Sequence, residues 1–163
     1  MGHPNKHIRE AFDIYFKDPE GRSYDELEEF VFESGFDDAN FGSSGGVYTL
    51  SFEDEVDHLE KAIKKAWKRV QKTGLTPFSV GPDDLVNASE ISRRWGVSRE
   101  AARKAIHKGD FPTPIHIVAG APIWSWKVVA KRLFEGKRID SEQYNFASRL
   151  YDITHSKDFL QLR

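Results

Sequence analysis

A chain of 163 residues suffices for one medium domain or two small ones, and its 39% hydrophobic content is low but globular. The absence of cysteine excludes disulfides and thiolate metal sites, and no run approaches the roughly 20 apolar residues of a membrane-crossing helix. With 24 Lys and Arg against 26 Asp and Glu, the net charge of −2 indicates neither nucleic acid nor membrane until it is divided along the chain.

The opening Met1 to His7 is polar and precedes no apolar block, which predicts no secretory signal and, with the missing cysteines, a cytoplasmic protein. Ile8 to Phe16 alternates, with Phe12, Ile14 and Phe16 on one face, and reads as a strand. Ser23 to Ser34 reads as a helix: Ser23 and Glu26 form a capping box, Leu27, Phe30 and Val31 point inward, and Gly35 ends it. Asp38 to Gly42 is a short strand and Ser43 to Gly46 a turn. The glycines there lack the Lys-Ser or Lys-Thr ending of a phosphate loop.

Val47 to Phe52 alternates again, and Val56 to Thr73 places Leu59, Ile63, Ala66, Trp67 and Val70 at helical spacing before Gly74. Thr76 to Val80 is the last strand of this half. The order strand, helix, strand, strand, helix, strand predicts an α+β domain over 1–82, a ferredoxin-like split βαβ sandwich with two helices on one face of an antiparallel sheet. Such sheets pair into dimers or hold ligands between subunits, so homodimerisation or sensing of a small-molecule effector is its expected role. Gly81-Pro82-Asp83-Asp84 is a short joint.

Beyond the joint, Asn87 and Glu90 form a helix start in which Glu90 reaches back to the cap, and Ile91 and Trp95 form the buried stripe of a helix over 88–95. Glu90, Arg93 and Arg94 fall on more exposed faces, and Ser92 is small enough for a close helix crossing. Gly96 suits the positive φ of a tight turn, Val97 plugs the crevice between helices, and Ser98 caps a second helix. On that helix Ala102, Ala105 and Ile106 turn inward, leaving Arg99, Glu100, Arg103, Lys104 and His107 outward. This is helix-turn-helix spacing, with cations for phosphates and guanidinium forks able to read guanine edges.

Ile115 to Val118 and Pro122 to Trp126 flank Ala119-Gly120-Ala121 as a hairpin, or wing, whose Trp124 and Trp126 pack as core. Lys127 to Phe134 then reads as a helix with Val128, Val129, Leu133 and Phe134 apolar and Lys127, Lys131 and Arg132 towards solvent, a set suited to a phosphate backbone. The tail, 140–163, carries Tyr144, Ala147, Leu150, Tyr151 and Ile153 at roughly helical spacing, then Phe159, Leu160 and Leu162, which predicts a helix folding back on either domain or a partner subunit.

The charge split follows this division. Leu85 to Ile139 holds 11 basic and 4 acidic side chains, a balance of +7, whereas Ile8 to Asp84 holds 9 and 18, a balance of −9. Only the second part is drawn to polyphosphate.

The stretch from Leu85 to Gly136 resembles the small winged helix-turn-helix domains of the AlpA, excisionase and MerR-like superfamily. The matching residues are the Leu-Val-x-Ala-Ser-Glu-Ile entry, Trp-Gly-Val-Ser at the turn, Gly-Asp-Phe-Pro-x-Pro, and Pro-Ile-Trp leading into the last helix. The resemblance implies a winged helix-turn-helix DNA-binding domain over 83–139, with the second helix in the major groove and base or phosphate contacts at Ser98, Arg99, Arg103 and Lys104. Where relatives carry Gly-Arg-Pro at the wing tip, this chain has Gly120-Ala121-Pro122.

Chemistry of other kinds has little support. His3, His7, His58, His107, His116 and His155 form no ligand-spaced pair, and Asp13, Asp37, Asp38, Asp54 and Glu55 read as a solvated acidic face, so no metal, cofactor or catalytic role is expected. His107 faces outward, where it could bond a base or phosphate. The expectation is a regulator of bacterial or phage type that binds double-stranded DNA through residues 98–108. Its rivals are an excisionase-like architectural factor and an antitoxin-like module that binds a protein partner.

Overall fold

The computed structural model describes residues 9–55 and 58–162, and it shows a mixed α+β protein with antiparallel sheets. The expected starts of the first strand at Ile8 and the second helix at Val56 lie outside the described residues, as do His3 and His7. Two compact units are present, one formed by 1–82 with 153–163 and the other by 83–152.

The first unit follows the alternation seen in the sequence. Strands β1 (Arg9–Lys17), β2 (Asn40–Ser44), β3 (Val47–Glu55) and β4 (Thr76–Gly81) form one antiparallel sheet in the order β2-β3-β1-β4, and helices α1 (Tyr24–Glu33) and α2 (Leu59–Lys72) complete the set. Phe12, Ile14 and Phe16 of β1 are paired with Phe52, Leu50 and Tyr48 of β3, and a register one residue off would have turned this whole set to solvent. Leu27 and Val31 of α1 and Leu59, Ile63, Ala66, Trp67 and Val70 of α2 are buried with them. At about 1.5–3 kcal/mol for each large side chain withdrawn from water, that burial is the main force on the sheet. Pro77 disturbs the ladder least where it lies, on the edge strand β4 beside the register shift at Tyr15 and Phe16.

The second unit packs around Trp124. A short strand β5 (Leu85–Val86) leads into α3 (Ala88–Trp95) and α4 (Arg99–Ile106), and the hairpin of β6 (His116–Val118) and β7 (Ala121–Ser125) leads into α5 (Trp126–Glu135). Strand β7 lies between β5 and β6. Val86, Ile91, Trp124, Trp126, Val129, Ala130, Leu133, Ile139 and Ala147 form the core, with Trp95, Ile106, Phe111 and Tyr144 packed against it. The indole N–H of Trp124 donates to the Pro112 carbonyl at 2.9 Å, and Phe111 meets its ring edge-on.

The tail forms α6 (Ser141–Thr154) and α7 (Lys157–Leu162) and is shared between the units. Tyr144 stacks on Phe134 in the second unit, with ring centroids 5.1 Å apart, and Phe159 of α7 packs edge-on against Trp67 in the first. No helix among the described residues is long and apolar enough to cross a membrane.

Candidate nucleic-acid interface

The turn between α3 and α4 begins with two side-chain caps. Asn87 Oδ1 accepts from the Glu90 amide at 2.8 Å, and Ser98 Oγ from the Ala101 amide at 3.1 Å. Gly96 ends α3 with φ of +81°, a left-handed conformation in which its own amide and that of Val97 both donate to the Ser92 carbonyl. Ser92 is buried and its hydroxyl donates back to the Ser89 carbonyl, so no polar atom is stranded at the helix crossing.

Four local expectations are corrected. The Glu90 carboxylate does not reach back to the cap; it accepts from Arg93 and, at 2.9 Å, from Arg94 Nε. Arg94 is not on an exposed face: its side chain is only 12% exposed and its guanidinium lies 5.6 Å from the Trp126 ring centre. Two cations within one turn hold this carboxylate more strongly than a cap amide does. On α5, Val128 and Phe134 are exposed, while Trp126 and Ala130 take the inward places beside Val129 and Leu133. Lys127 is tethered rather than free, because its ammonium contacts Asp152 at 2.9 Å and lies over the Tyr151 ring.

The outward face of α4 is the chemically distinctive surface. Ala102 and Ala105 are buried, Ile106 packs partly against the core, and Ser98, Arg99, Arg103, Lys104 and His107 are all exposed. Ser98 is also the helix cap, so its hydroxyl oxygen is already engaged. Arg103 is paired with Glu100 one turn back, Nη2 to Oε1 at 2.6 Å and Nε to Oε2 at 3.1 Å. The pairing lowers the Glu100 carboxyl below its ordinary pKa and raises that of Arg103, in both cases chiefly through the hydrogen bond between them. Lys131 and Arg132 of α5 are exposed, and the Asp152 carboxylate raises the pKa of Lys127.

No protein-family model, curated protein or solved structure matches this chain.

The β6–β7 hairpin turns at Ala119 and Gly120, which have φ of +50° and +80° and join Val118 directly to Ala121, the two-residue turn whose twist suits a hairpin. Its surface is apolar: Ile117 is 74% and Val118 60% exposed. Among the described residues no group of three or more His, Asp or Glu side chains is placed to hold a metal. Asp13 accepts a hydrogen bond from Ser51 within the sheet, whereas Asp38 in the loop before β2 is held by Arg69 at 2.9 Å.

Sequence reasoning missed Asp84, placed there in a joint. Its carboxylate accepts from Ser125 Oγ at 2.7 Å and from the Lys127 amide at 2.9 Å, which caps α5 from 43 residues away. No local signal marks such a cap, since the residue at the helix start, Ser125, makes no cap bond of its own.

Proposed function

We propose that this chain is a sequence-specific double-stranded DNA-binding protein, a cytoplasmic transcriptional regulator of bacterial or phage type. Residues 83–139 act as a winged helix-turn-helix in which α4 enters the major groove and β6–β7 is the wing. The first unit, with its β2-β3-β1-β4 sheet, acts as a ferredoxin-like split βαβ module that pairs two copies or takes up an effector.

One observation carries the reading. Arg99, Arg103 and Lys104, with His107 at the C-terminal cap, are solvent-exposed together on one short helix whose other face is anchored in a core and whose start is set by a left-handed glycine turn. A positioned cationic helix of this kind supplies phosphate contacts and guanidinium forks for base edges. Arg99, Arg103 and Lys104 read the site, Ser98 and His107 support them, and Lys131 and Arg132 bind the backbone. Lys127 contributes least, because it must first leave Asp152.

The test is selection of bound genomic fragments, followed by binding at several salt concentrations. Arg103→Ala weakens the selected site by about 1–3 kcal/mol and relaxes preference at one base pair, whereas Lys131→Ala weakens all duplexes alike and lowers the salt slope by about one. Unchanged duplex binding by both variants refutes the assignment.

The apolar wing favours a second reading, the architectural one. Exposed aliphatic side chains at a hairpin tip suit a wedge between base steps that bends the duplex, and here Ile117 and Val118 occupy the tip. An Ile117→Ser variant that binds the site but bends it less supports that role; an unaltered bend refutes it.

A further inference from the structure

The first unit carries an open groove of about 580 Å³ between α1 and the edge strand β2, remote in sequence from α4. Phe36 and Phe41 line it, and Phe32, 68% exposed, stands at its side. A phenyl ring so exposed contributes little to the core of its own unit, and beside Phe36 and Phe41 it extends the apolar lining of the groove.

The charge around these rings has one sign. Asp25, Glu28, Glu29 and Asp37 line the groove, and among the described residues no Lys or Arg does. Arg69, which lies over the Phe36 ring, is turned to Asp38 and the Gly35 carbonyl, at 2.9 and 3.0 Å. Both features fit an occupant that is apolar and cationic. An isologous second copy is disfavoured, because it would set one acidic groove against another. DNA is disfavoured for the same reason.

The wall opposite α1 decides the conformation of the occupant. Strand β2 pairs with β3 on one side only, so its other side is a sheet edge that can accept a further strand. We propose that this groove binds an extended basic segment of a partner protein. The segment adds along β2, and every second side chain, on the α1-facing side of the added strand, enters the groove: aliphatic ones lie against Phe32, Phe36 and Phe41, and Lys or Arg ones reach Asp25, Glu28, Glu29 and Asp37. The proposal does not rest on duplex recognition by α4 and is tested without DNA.

The probe is a fluorescent ten-residue peptide with Arg and Val in turn at its odd positions and Thr at its even ones, so that one strand face carries both residue types, titrated into the full chain and followed by anisotropy. Saturable binding is expected, several-fold weaker at 0.5 M than at 0.05 M salt because the charges are exposed. Replacing Val by Ser, replacing Arg by Glu, or methylating alternate backbone nitrogens each weakens it at least tenfold. The substitutions Phe32→Ser and Glu28→Lys with Glu29→Lys lie on the exposed face of α1, so far-UV circular dichroism stays unchanged while affinity falls at least fivefold. Binding that persists in both variants, or a peptide with Ser in place of Val that binds as well, overturns the groove. An N-methylated peptide that binds equally overturns strand addition. Sedimentation showing a dimer abolished by Phe32→Ser, with no peptide binding, overturns the partner in favour of a second copy.

Discussion

Replacing Glu90 by Gln separates charge from shape at the base of α3. The carboxyl is held at about 2 against an ordinary 4.5, first by the hydrogen bond from Arg93 and then by that from Arg94. At about 1.36 kcal/mol per unit the shift sets a ceiling near 3 kcal/mol, and solvent screening at this partly exposed site reduces the expected contribution to about 1–2 kcal/mol. Because the folded-state value is depressed, the stabilisation is present in full above pH 4.5 and is lost as pH falls through about 2. Glu90→Gln keeps the backbone amide on Asn87 but leaves Arg94, packed on Trp126, without its carboxylate. Urea unfolding followed by tryptophan emission reports chiefly on this unit, which holds Trp95, Trp124 and Trp126, with Trp67 the one tryptophan of the first. The variant is less stable by about 1–2 kcal/mol at pH 7, and the difference from the native chain vanishes near pH 2. A penalty as large at pH 2 as at pH 7 refutes the reasoning and assigns the effect to packing.

Four further outcomes follow from particular contacts. Asp84→Ala removes both acceptors at the start of α5 and costs about 1–3 kcal/mol in chemical unfolding; a cost below a few tenths shows that water replaces the cap. Ala119→Gly relieves a left-handed alanine and raises stability by about 0.5–1 kcal/mol in the same assay, and a loss of stability contradicts the turn geometry. Phe159→Ala empties the site against Trp67 and costs about 3–4 kcal/mol, read as earlier unfolding of the first unit; an unchanged transition shows that α7 does not support that core. Glu100→Gln frees Arg103 from its exposed partner and removes a negative charge from the α4 face, so duplex affinity measured by anisotropy rises about two- to fivefold, and weaker binding contradicts the orientation assigned to α4.

Local periodicity and caps determined much of this protein in advance. Period-two runs at Phe12, Ile14, Phe16 and at Tyr48, Leu50, Phe52 marked β1 and β3, and the Asn87 and Ser98 caps with Gly96 between them marked α3, the turn and α4, because each signal acts within a few residues of the backbone it governs. The exposed cations of α4 were legible for the same reason, since a helix of about 3.6 residues per turn assigns faces by spacing alone.

Tertiary structure decided what depends on distant partners. Arg94 and Phe134 were misplaced because burial against Trp126 and stacking on Tyr144 come from other elements, and Asp84 was missed because its helix begins 43 residues later. The tail shows the limit most clearly: its helical spacing was visible, yet the division of Tyr144 and Ala147 to one core and Phe159 to the other had no local signature. Hydrophobic side chains specify that they will be buried, not where, and the choice of cavity is made only when the rest of the chain has formed one.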